Sequence, residues 1–389
     1  MYISAFLHRN ELFDITNRWL SNQLDSEDPL QITKIIAYDS FSAWETLLLF
    51  SDNFLQNLNS SHILRKKISQ KKDLKDFICN TKNQNSGRAE SLISEYMKMP
   101  EFFYIGSPFA GYIYHDSHFQ ILSICRFKRV KRIAEKASRY ASIYFFDKIE
   151  AATQEILKKR MQFLPSTKQL SNDIFIEAEK MIMLRIKKNG IKLPVQAMTI
   201  KDILGIKVID NGFGAKKLES AIAQYSGAKI VEKEKHSGQY NAVHYVVELK
   251  VDFIHLIDKF KNNRKEIDFI QKGLPVERLN EDFAEFVVTG ADTVHVDLIF
   301  TSFEELIESE IGRSMHENRI FRQRQQNKVY GNIPINIEYI IEFLIAVGLS
   351  PTIQIDEIPI KIWGRYLPDT LSDRIRKIYQ MSNYSMICE

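Results

Sequence analysis

Cysteine is scarce in this chain of 389 residues, which has only Cys79, Cys125 and Cys388 and no Cys-x-x-Cys pair. So few and so widely spaced cysteines predict neither a zinc site nor a disulfide framework, and they fit a reducing compartment. Excess charge of one sign is also scarce, because 53 Lys and Arg against 49 Asp and Glu leave a net charge of +4. This mild balance does not by itself indicate a nucleic-acid-binding protein.

Long hydrophobic runs are missing as well. The first residues, MYISAFLHRNELFD, lack the charged-then-apolar profile of a signal peptide. The most apolar stretch, residues 339–349, contains Glu342 and is too short to cross a bilayer. We therefore expect a cytoplasmic protein that does not enter a membrane.

The composition that is present suits a folded protein of more than one domain. Hydrophobic residues make up 44% and aromatic residues 11% of the chain, enough to form real cores. The length predicts two or three domains. We expect a mainly helical domain of unknown role over residues 1–165, a sheet domain over 166–330 and a helical segment over 331–389, with a boundary at Pro165 and Ser166.

The predicted elements alternate between helix and strand after residue 170, which indicates an α+β (α/β-like) fold with a mixed sheet. Helices are expected at residues 174–188, 215–225, 252–260, 303–325 and 337–347, and strands at 203–209, 228–231, 243–251, 284–288 and 293–300. In the first half, a short strand or hairpin is expected within residues 100–125 because two glycines and a proline interrupt an aromatic-rich stretch. The carboxyl-terminal region predicts a strand pair near residues 352–363 and a helix near 372–379.

Two short motifs carry the first functional signal. Asp202 opens the apolar run Asp-Ile-Leu-Gly-Ile-Lys, which ends at Lys207. About 30 residues later, a Ser-Gly turn leads through Tyr240 into a strand with His244 near its start. A carboxylate can hold a metal ion, an aromatic ring can stack on a nucleotide base, and basic groups can bind phosphates.

A third motif lies on the strand at residues 293–300. Period-two alternation puts His295, Asp297 and Ile299 on one face of that strand. Ser302 and Glu305 form a capping box that opens the next helix. On that helix Glu310, Arg313 and Glu317 recur at helical spacing, and the sequence leaves open whether they point at a site or pair on the surface.

Together these motifs resemble the synthetase domain of the RelA/SpoT family over about residues 170–325. The resemblance implies Mg²⁺-dependent transfer of pyrophosphate from ATP to a guanine nucleotide, or in toxin members to the 3′ end of tRNA. It implies that Asp202 and Asp297 hold the metal ion and act in catalysis together with His295. The nucleotide-binding residues that it implies are Tyr240, His244, Lys207, Lys235 and Arg185.

The ATP-donor side departs from the family pattern. Aligning the family's donor helix with residues 175–189 puts Phe175 and Glu177 where Arg and Lys are expected, and only Arg185 falls on a basic position. Phosphoryl transfer needs several cations around the triphosphate. A catalytically degenerate nucleotide sensor is therefore the alternative hypothesis. An interaction protein that uses the domain only as a scaffold is a third hypothesis.

Two weaker signals lie in the first half. Residues 126–144 predict an amphipathic helix with seven basic residues within 126–139, which is either a solvated face or a surface for RNA or nucleotide phosphates. His115, Asp116 and His118, together with His8, suggest a metal-dependent hydrolase of the HD type, although that chemistry needs further ligands in helical context.

Overall fold

The structure is a computed structural model in which helices surround a mixed sheet, the α+β architecture that the sequence predicts. It describes residues 1–362 except for 60–61, 84–86, 104, 107, 162–167, 189–191, 239–240, 263–273, 275–277, 313–328, 350–354, 356–357 and 359–360.

The strands of the described residues form one large sheet and one short pair. They are β1 (Tyr2–Ile3), β2 (Ile63–Gln70), β3 (Pro108–Asp116), β4 (Ile121–Phe127), β5 (Thr199–Ile200), β6 (Leu204–Ile209), β7 (Ala228–His236), β8 (Ala242–Lys250) and β9 (Thr293–Thr301). β1 pairs with β5, and the other seven strands form a sheet in the order β2-β3-β4-β6-β9-β8-β7. Within this sheet β6 and β9 run parallel, and all other neighbours are antiparallel.

The helices differ greatly in length. The α-helices are α1 (Arg9–Leu20), α2 (Asp28–Lys34), α3 (Ser40–Leu58), α4 (Lys71–Cys79), α5 (Gly87–Lys98), α6 (Val130–Met161), α7 (Lys168–Lys187), α8 (Val195–Met198), α9 (Gly214–Gln224), α10 (Phe253–Asn262), α11 (Leu279–Thr289), α12 (Phe303–Ile307) and α13 (Asn332–Leu349). Wider π-helical turns follow α2 at Ile35–Asp39 and α12 at Glu308–Gly312, and a 3₁₀ turn lies at Pro100–Phe102.

One face of the sheet, here called the core face, packs on the main hydrophobic core. β6 is buried along its whole length, as its β-branched and aliphatic sequence predicts. Ala134, Ala137 and Ala141 of α6 are buried in the same core, where their small side chains let the helix approach its neighbours closely. α13 packs along α6 and carries ten buried residues. Each fully buried Leu or Ile of this core stabilises the fold by roughly 1.5–3 kcal/mol.

The opposite face, here called the second face, is covered at one end by a smaller core. α4, α5 and α12 cover the second-face side chains of β2, β3, β4 and the last residue of β6. The strand residues in this cluster include Ile68, Ile113, Ile124 and Ile209. The strands β6, β9 and β8 also carry polar side chains on the second face.

The structure confirms most elements that the sequence predicts from residue 170 onward, and it corrects three predictions along the chain. Residues 284–288 lie within helix α11, so the predicted strand is wrong; Phe283, Phe286 and Val287 are the buried side of that helix. Residues 126–129 lie outside α6, because β4 continues to Phe127 and α6 begins at Val130. The predicted helix over 303–325 is α12 followed by a π-helical turn to Gly312, and its remainder lies outside the described residues.

The first half holds more sheet than predicted. The hairpin expected within residues 100–125 is present as β3 and β4, joined at a turn where Asp116 Oδ1 accepts hydrogen bonds from the N–H groups of His118 and Gln120. β2 was not predicted. Strands from both sides of the expected boundary at residues 165–166 form one sheet, because β2, β3 and β4 precede the boundary and β6 to β9 follow it. The strand pair near 352–363 and the helix near 372–379 fall largely or wholly outside the described residues.

Helix α13 is the only helix, in the part of the chain that the structure describes, with the length and apolar composition of a membrane span. It contains the predicted helix at 337–347 and extends it at both ends. Its buried side chains and its packing on α2 and α6 make it a central helix of the main core. Such burial is typical of a core helix in a soluble protein.

Candidate functional site

Polar side chains from four neighbouring strands lie on the second face of the sheet. Strand alternation and register put them there: Arg126 on β4, Lys207 on β6, His295 and Asp297 on β9, and His244 and Glu248 on β8. We call these six residues the polar strip. Four of them, Lys207, His244, His295 and Asp297, are residues that the sequence singled out.

Lys207 is the most deeply buried cation of the polar strip. Its Nζ lies 2.8 Å from Ser309 Oγ and 3.3 Å from Glu310 Oε1. The same carboxylate binds Lys71 through Oε2 at 2.8 Å, and Lys75 donates to the backbone carbonyl of Glu310. The wide turn at Glu308–Gly312 therefore brings Ser309 and Glu310 over the sheet.

The charges of this centre are strongly coupled. Burial lowers the pKa of Lys207, and Glu310 acts in the opposite direction. Burial would raise the pKa of Glu310, but the ammonium groups of Lys71 and Lys207 outweigh it, so that this pKa lies well below the usual range. Glu310 is thus ionised at neutral pH, and it is the buried carboxylate around which the lysines gather. Of the two interpretations left open by the sequence, Glu310 belongs to the site; Arg313 and Glu317 lie outside the described residues.

Arg126 lies across the backbone of Gly205. A β-carbon at Gly205 would meet Arg126 Nε at 2.8 Å and Cγ at 3.1 Å, so any larger residue would displace the guanidinium group. Gly205 pairs with Arg126 on β4 and with Asp297 on β9. The missing side chain at Gly205 therefore gives Arg126 a path over β6 toward the centre of the strip.

The β8 end of the strip contains two His–carboxylate pairs. His244 Nδ1 lies 3.8 Å from Asp297 Oδ1, and His295 Nε2 lies 3.6 Å from Glu248 Oε2. The other ring nitrogen of His295 lies 3.2 Å from the carbonyl oxygen of Ser4. These distances exceed good hydrogen-bond lengths, so neither His–carboxylate contact is a hydrogen bond.

Asp202 does not join the polar strip. It precedes β6, and its carboxylate is held by Lys128 and by Lys136 Nζ, the latter at 2.9 Å from Oδ1. Burial acts to raise the pKa of Asp202, but the two ammonium groups outweigh it and lower the pKa to about 2. Lys136 lies on α6, on the core-face side of the sheet, whereas Asp297 lies on the second face.

The two aspartates therefore do not form a magnesium site in this arrangement. Magnesium is usually bound by one or two carboxylates that share the ion with water and substrate phosphates. Asp202 is already neutralised by two lysines, and Asp297 faces His244. Among the described residues, no three His, Cys, Asp or Glu side chains come together as a metal-binding group.

Three further predicted residues are away from the strip or outside the described chain. Lys235 lies on the edge strand β7 and pairs with Val243 of β8. It therefore lies on the core face with Val243, whereas His244 lies on the second face. Arg185 is exposed on α7, a helix that packs against α6. Tyr240, the predicted base-stacking ring, lies outside the described residues.

Phe175 and Glu177, the positions on α7 where basic residues would bind ATP, make contacts within the protein. Phe175 is buried, with its ring centroid 4.6 Å from that of Tyr330. Glu177 is exposed and binds Arg160 at 2.7 Å. These two side chains thus serve helix packing and a surface ion pair, and neither supplies a cation for a triphosphate.

Several basic residues of the predicted RNA surface are already engaged. Lys128 and Lys136 bind Asp202, and Arg132 binds Glu135 at 2.7 Å. Each of these pairs reduces the positive charge that the patch would offer to RNA phosphates.

The residues suggested for an HD-type hydrolase are separated into two local networks. His8 binds Asp39 and Thr289 in the main core. Asp116 organises the β3–β4 turn, and His115 stacks on Phe119. This arrangement does not bring the predicted ligands together, and the hydrolase hypothesis has no site among the described residues.

The partners that complete the strip are not evident from the sequence. The basic residues that follow Arg126 favour a helix there, although the aliphatic composition of residues 121–127 (ILSICRF) is also compatible with a strand. Lys71 and Lys75 lie about 130 residues before Lys207 in the chain, and no local pattern connects them to it. Comparisons with family models, with curated proteins and with solved structures each found no match for this chain.

Proposed function

We propose that this chain is a nucleotide-binding protein that binds a guanine nucleotide along the polar strip without transferring a group, and that Asp202 has a structural role. The observation that supports this proposal is the division of the predicted site. Lys207, His244, His295 and Asp297 share the second face, whereas Asp202 is neutralised by Lys128 and Lys136. The guanine preference and a cytoplasmic location rest on the sequence resemblance and composition.

The strip has the chemistry that a nucleotide requires. At one end, half-buried Arg126 and buried Lys207, the latter paired with Glu310, carry positive charge for phosphates. At the other end, the His244–Asp297 and His295–Glu248 pairs carry hydrogen-bonding groups. β4 and β8 are three strand spacings apart, roughly 14 Å. This length suits a nucleoside with an oligophosphate chain.

The second candidate function is the transfer of pyrophosphate from ATP to a guanine nucleotide or to the 3′ end of tRNA. It is favoured by the parallel pairing of β6 and β9, which puts Asp297 beside Gly205 of the first motif. Transfer would require cations around the ATP triphosphate that Phe175 and Glu177 do not supply. It would also require an Asp202 carboxylate that is not bound by Lys128 and Lys136. Binding without transfer needs neither change, and we therefore rank it first.

Two parallel measurements distinguish these functions. Titration calorimetry with ATP, GDP, GTP and guanosine tetraphosphate measures binding, and incubation of the same nucleotides with ATP and Mg²⁺ measures transfer. Saturable binding of a guanine nucleotide without product supports the proposal. Product that disappears in Asp202→Asn supports the transferase. Absence of binding by any nucleotide refutes both and leaves the interaction scaffold.

A further inference from the structure

Around the carboxylate of Glu310, the described residues bring together four cationic side chains. Lys71 and Lys207 bind its two oxygens, Lys75 binds its backbone carbonyl, and the charge of Arg126 acts on both Lys207 and Glu310. The ionised carboxylate of Glu310 offsets one of these four positive charges, so the group keeps a net positive charge among the described residues. This centre is therefore electrostatically suited to a ligand with more than one negative charge.

Arg126 is the member of this group best suited to contact such a ligand. It is half-buried, and it has no ion-pair partner among the residues that the structure describes. A guanidinium group binds phosphate through two parallel hydrogen bonds, which a lysine cannot do. It lies over Gly205, two residues before Lys207 on β6, and its charge acts on Lys207.

We infer that Arg126, Lys207 and Lys71 form a subsite for an oligophosphate group, and that Gly205 is needed because a side chain there would displace Arg126. The inference rests on the proposed function for the identity of the whole ligand, but the subsite itself recognises only the phosphate chain. It assigns the β4 end of the polar strip to phosphates and leaves the β8 end to the nucleoside.

The subsite makes a specific demand on residue 205. In Gly205→Ala the new methyl group meets atoms of the Arg126 side chain, which is flexible, and the glycine itself adopts no backbone conformation reserved for glycine. The substitution should therefore move the guanidinium group while the strand keeps its fold. Gly205→Ala and Arg126→Gln should have the same consequence for ligand binding, although only one of them removes a charge.

The experiment is titration of the full chain with inorganic tripolyphosphate, followed by calorimetry at low and moderate salt. We expect saturable binding to the unmodified protein, weakened roughly 10- to 100-fold in Arg126→Gln because a charge-assisted bidentate contact is lost. Gly205→Ala should also weaken tripolyphosphate binding. The affinity of Arg126→Lys should lie between those of the unmodified protein and Arg126→Gln. Arg160→Gln is the matched control, because it removes an exposed arginine that pairs with Glu177 far from the strip.

Thermal unfolding of each variant shows whether it is folded. If Arg126→Gln does not fold, Gly205→Ala still tests the subsite. Tripolyphosphate binding that is equal in the unmodified protein, Arg126→Gln and Gly205→Ala would overturn the subsite, as would no binding to the unmodified protein. If guanine nucleotides bind but Arg126→Gln leaves their affinity unchanged, the subsite fails while the proposed function stands. If tripolyphosphate binding depends on Arg126 but guanine nucleotides bind no more tightly than tripolyphosphate, the subsite stands and the proposed recognition of guanine fails.

Discussion

Asp202 and Lys136 form an ion pair of 2.9 Å that links the residue before β6 to helix α6. Lys128 binds the other oxygen of the same carboxylate, and its N–H group donates a hydrogen bond to the carbonyl of Ile203. Asp202 thus fastens the β4–α6 connection to the start of the central strand. This structural role accounts for an aspartate at this position.

The first prediction concerns the pH dependence of this contact. The folded-state pKa of Asp202 is about 2, below its ordinary value of 3.8. The carboxylate therefore contributes stability above pH 4, and this contribution is lost as the pH falls toward 2. Asp202→Asn should lower the free energy of unfolding by about 1–2 kcal/mol at pH 7, allowing for partial solvent exposure.

Urea denaturation of both proteins at several pH values between 7 and 3 measures this difference. The gap should be constant from pH 7 to pH 5 and should narrow below pH 4. A gap that widens on acidification would contradict the ion-pair account. Nucleotide affinity at pH 7 should be the same in both proteins.

The second prediction compares the two partners of a buried ion pair. Glu310→Gln leaves Lys71 and Lys207 close together without their shared carboxylate, and it should destabilise the protein by about 3–5 kcal/mol. Lys207→Met removes one cation while Glu310 keeps Lys71, so the loss should be smaller. The midpoints of urea unfolding at pH 7 give the order directly. A larger loss for Lys207→Met would mean that the ammonium group, and not the carboxylate, holds this centre together.

The third prediction concerns the N-terminal segment. Asp39 is fully buried, accepts a hydrogen bond from the N–H group of His8 at 2.8 Å, and has its Oδ1 at 3.1 Å from His8 Nδ1. Asp39→Ala removes both contacts and leaves the buried N–H group of His8 without its acceptor, so it should cost about 3–5 kcal/mol. Asp39→Asn keeps an acceptor oxygen and should cost less. Chemical denaturation measures both, and equal losses would show that the charge, and not the hydrogen bonds, carries the contribution.

The fourth prediction follows from the continuous sheet. β4 pairs with β6, and α13 packs along α6, so the fragments 1–165 and 166–389 should each lose a large part of the core if produced alone. Neither fragment should unfold cooperatively by itself, whereas co-production should recover a complex with a cooperative transition. Circular dichroism during heating makes the comparison. Two independent cooperative transitions would restore the domain boundary that the sequence suggests.

The elements that the sequence predicts correctly are those that a local apolar pattern defines. The buried strand β6 and the alternating strand β9 are of this kind. Residues 284–288 are not, because a short apolar run fits a strand and a buried helix equally well, and only the packing of Phe283 and Val287 in the main core favours the helix.

The site was predictable in part for a similar reason. His295 and Asp297 could be assigned to one face of a strand from alternation, and Lys207 followed from its motif. The second-face location of Arg126 and the partners Lys71 and Glu310 depend on pairings between distant segments, which no local pattern encodes. The environment of Asp202 could not be predicted, because its carboxylate is bound by Lys128 of the β4–α6 connection and Lys136 of α6, which are distant in sequence.

The most direct test of the account is a crystal structure of the protein soaked with guanosine tetraphosphate at a saturating concentration. We expect the ligand on the second face of the sheet, with phosphates beside Arg126 and Lys207 and the nucleoside extending toward His244, while Asp202 stays bound to Lys128 and Lys136. A ligand bound on the core-face side against α7, or a metal ion held between Asp202 and Asp297, would contradict it.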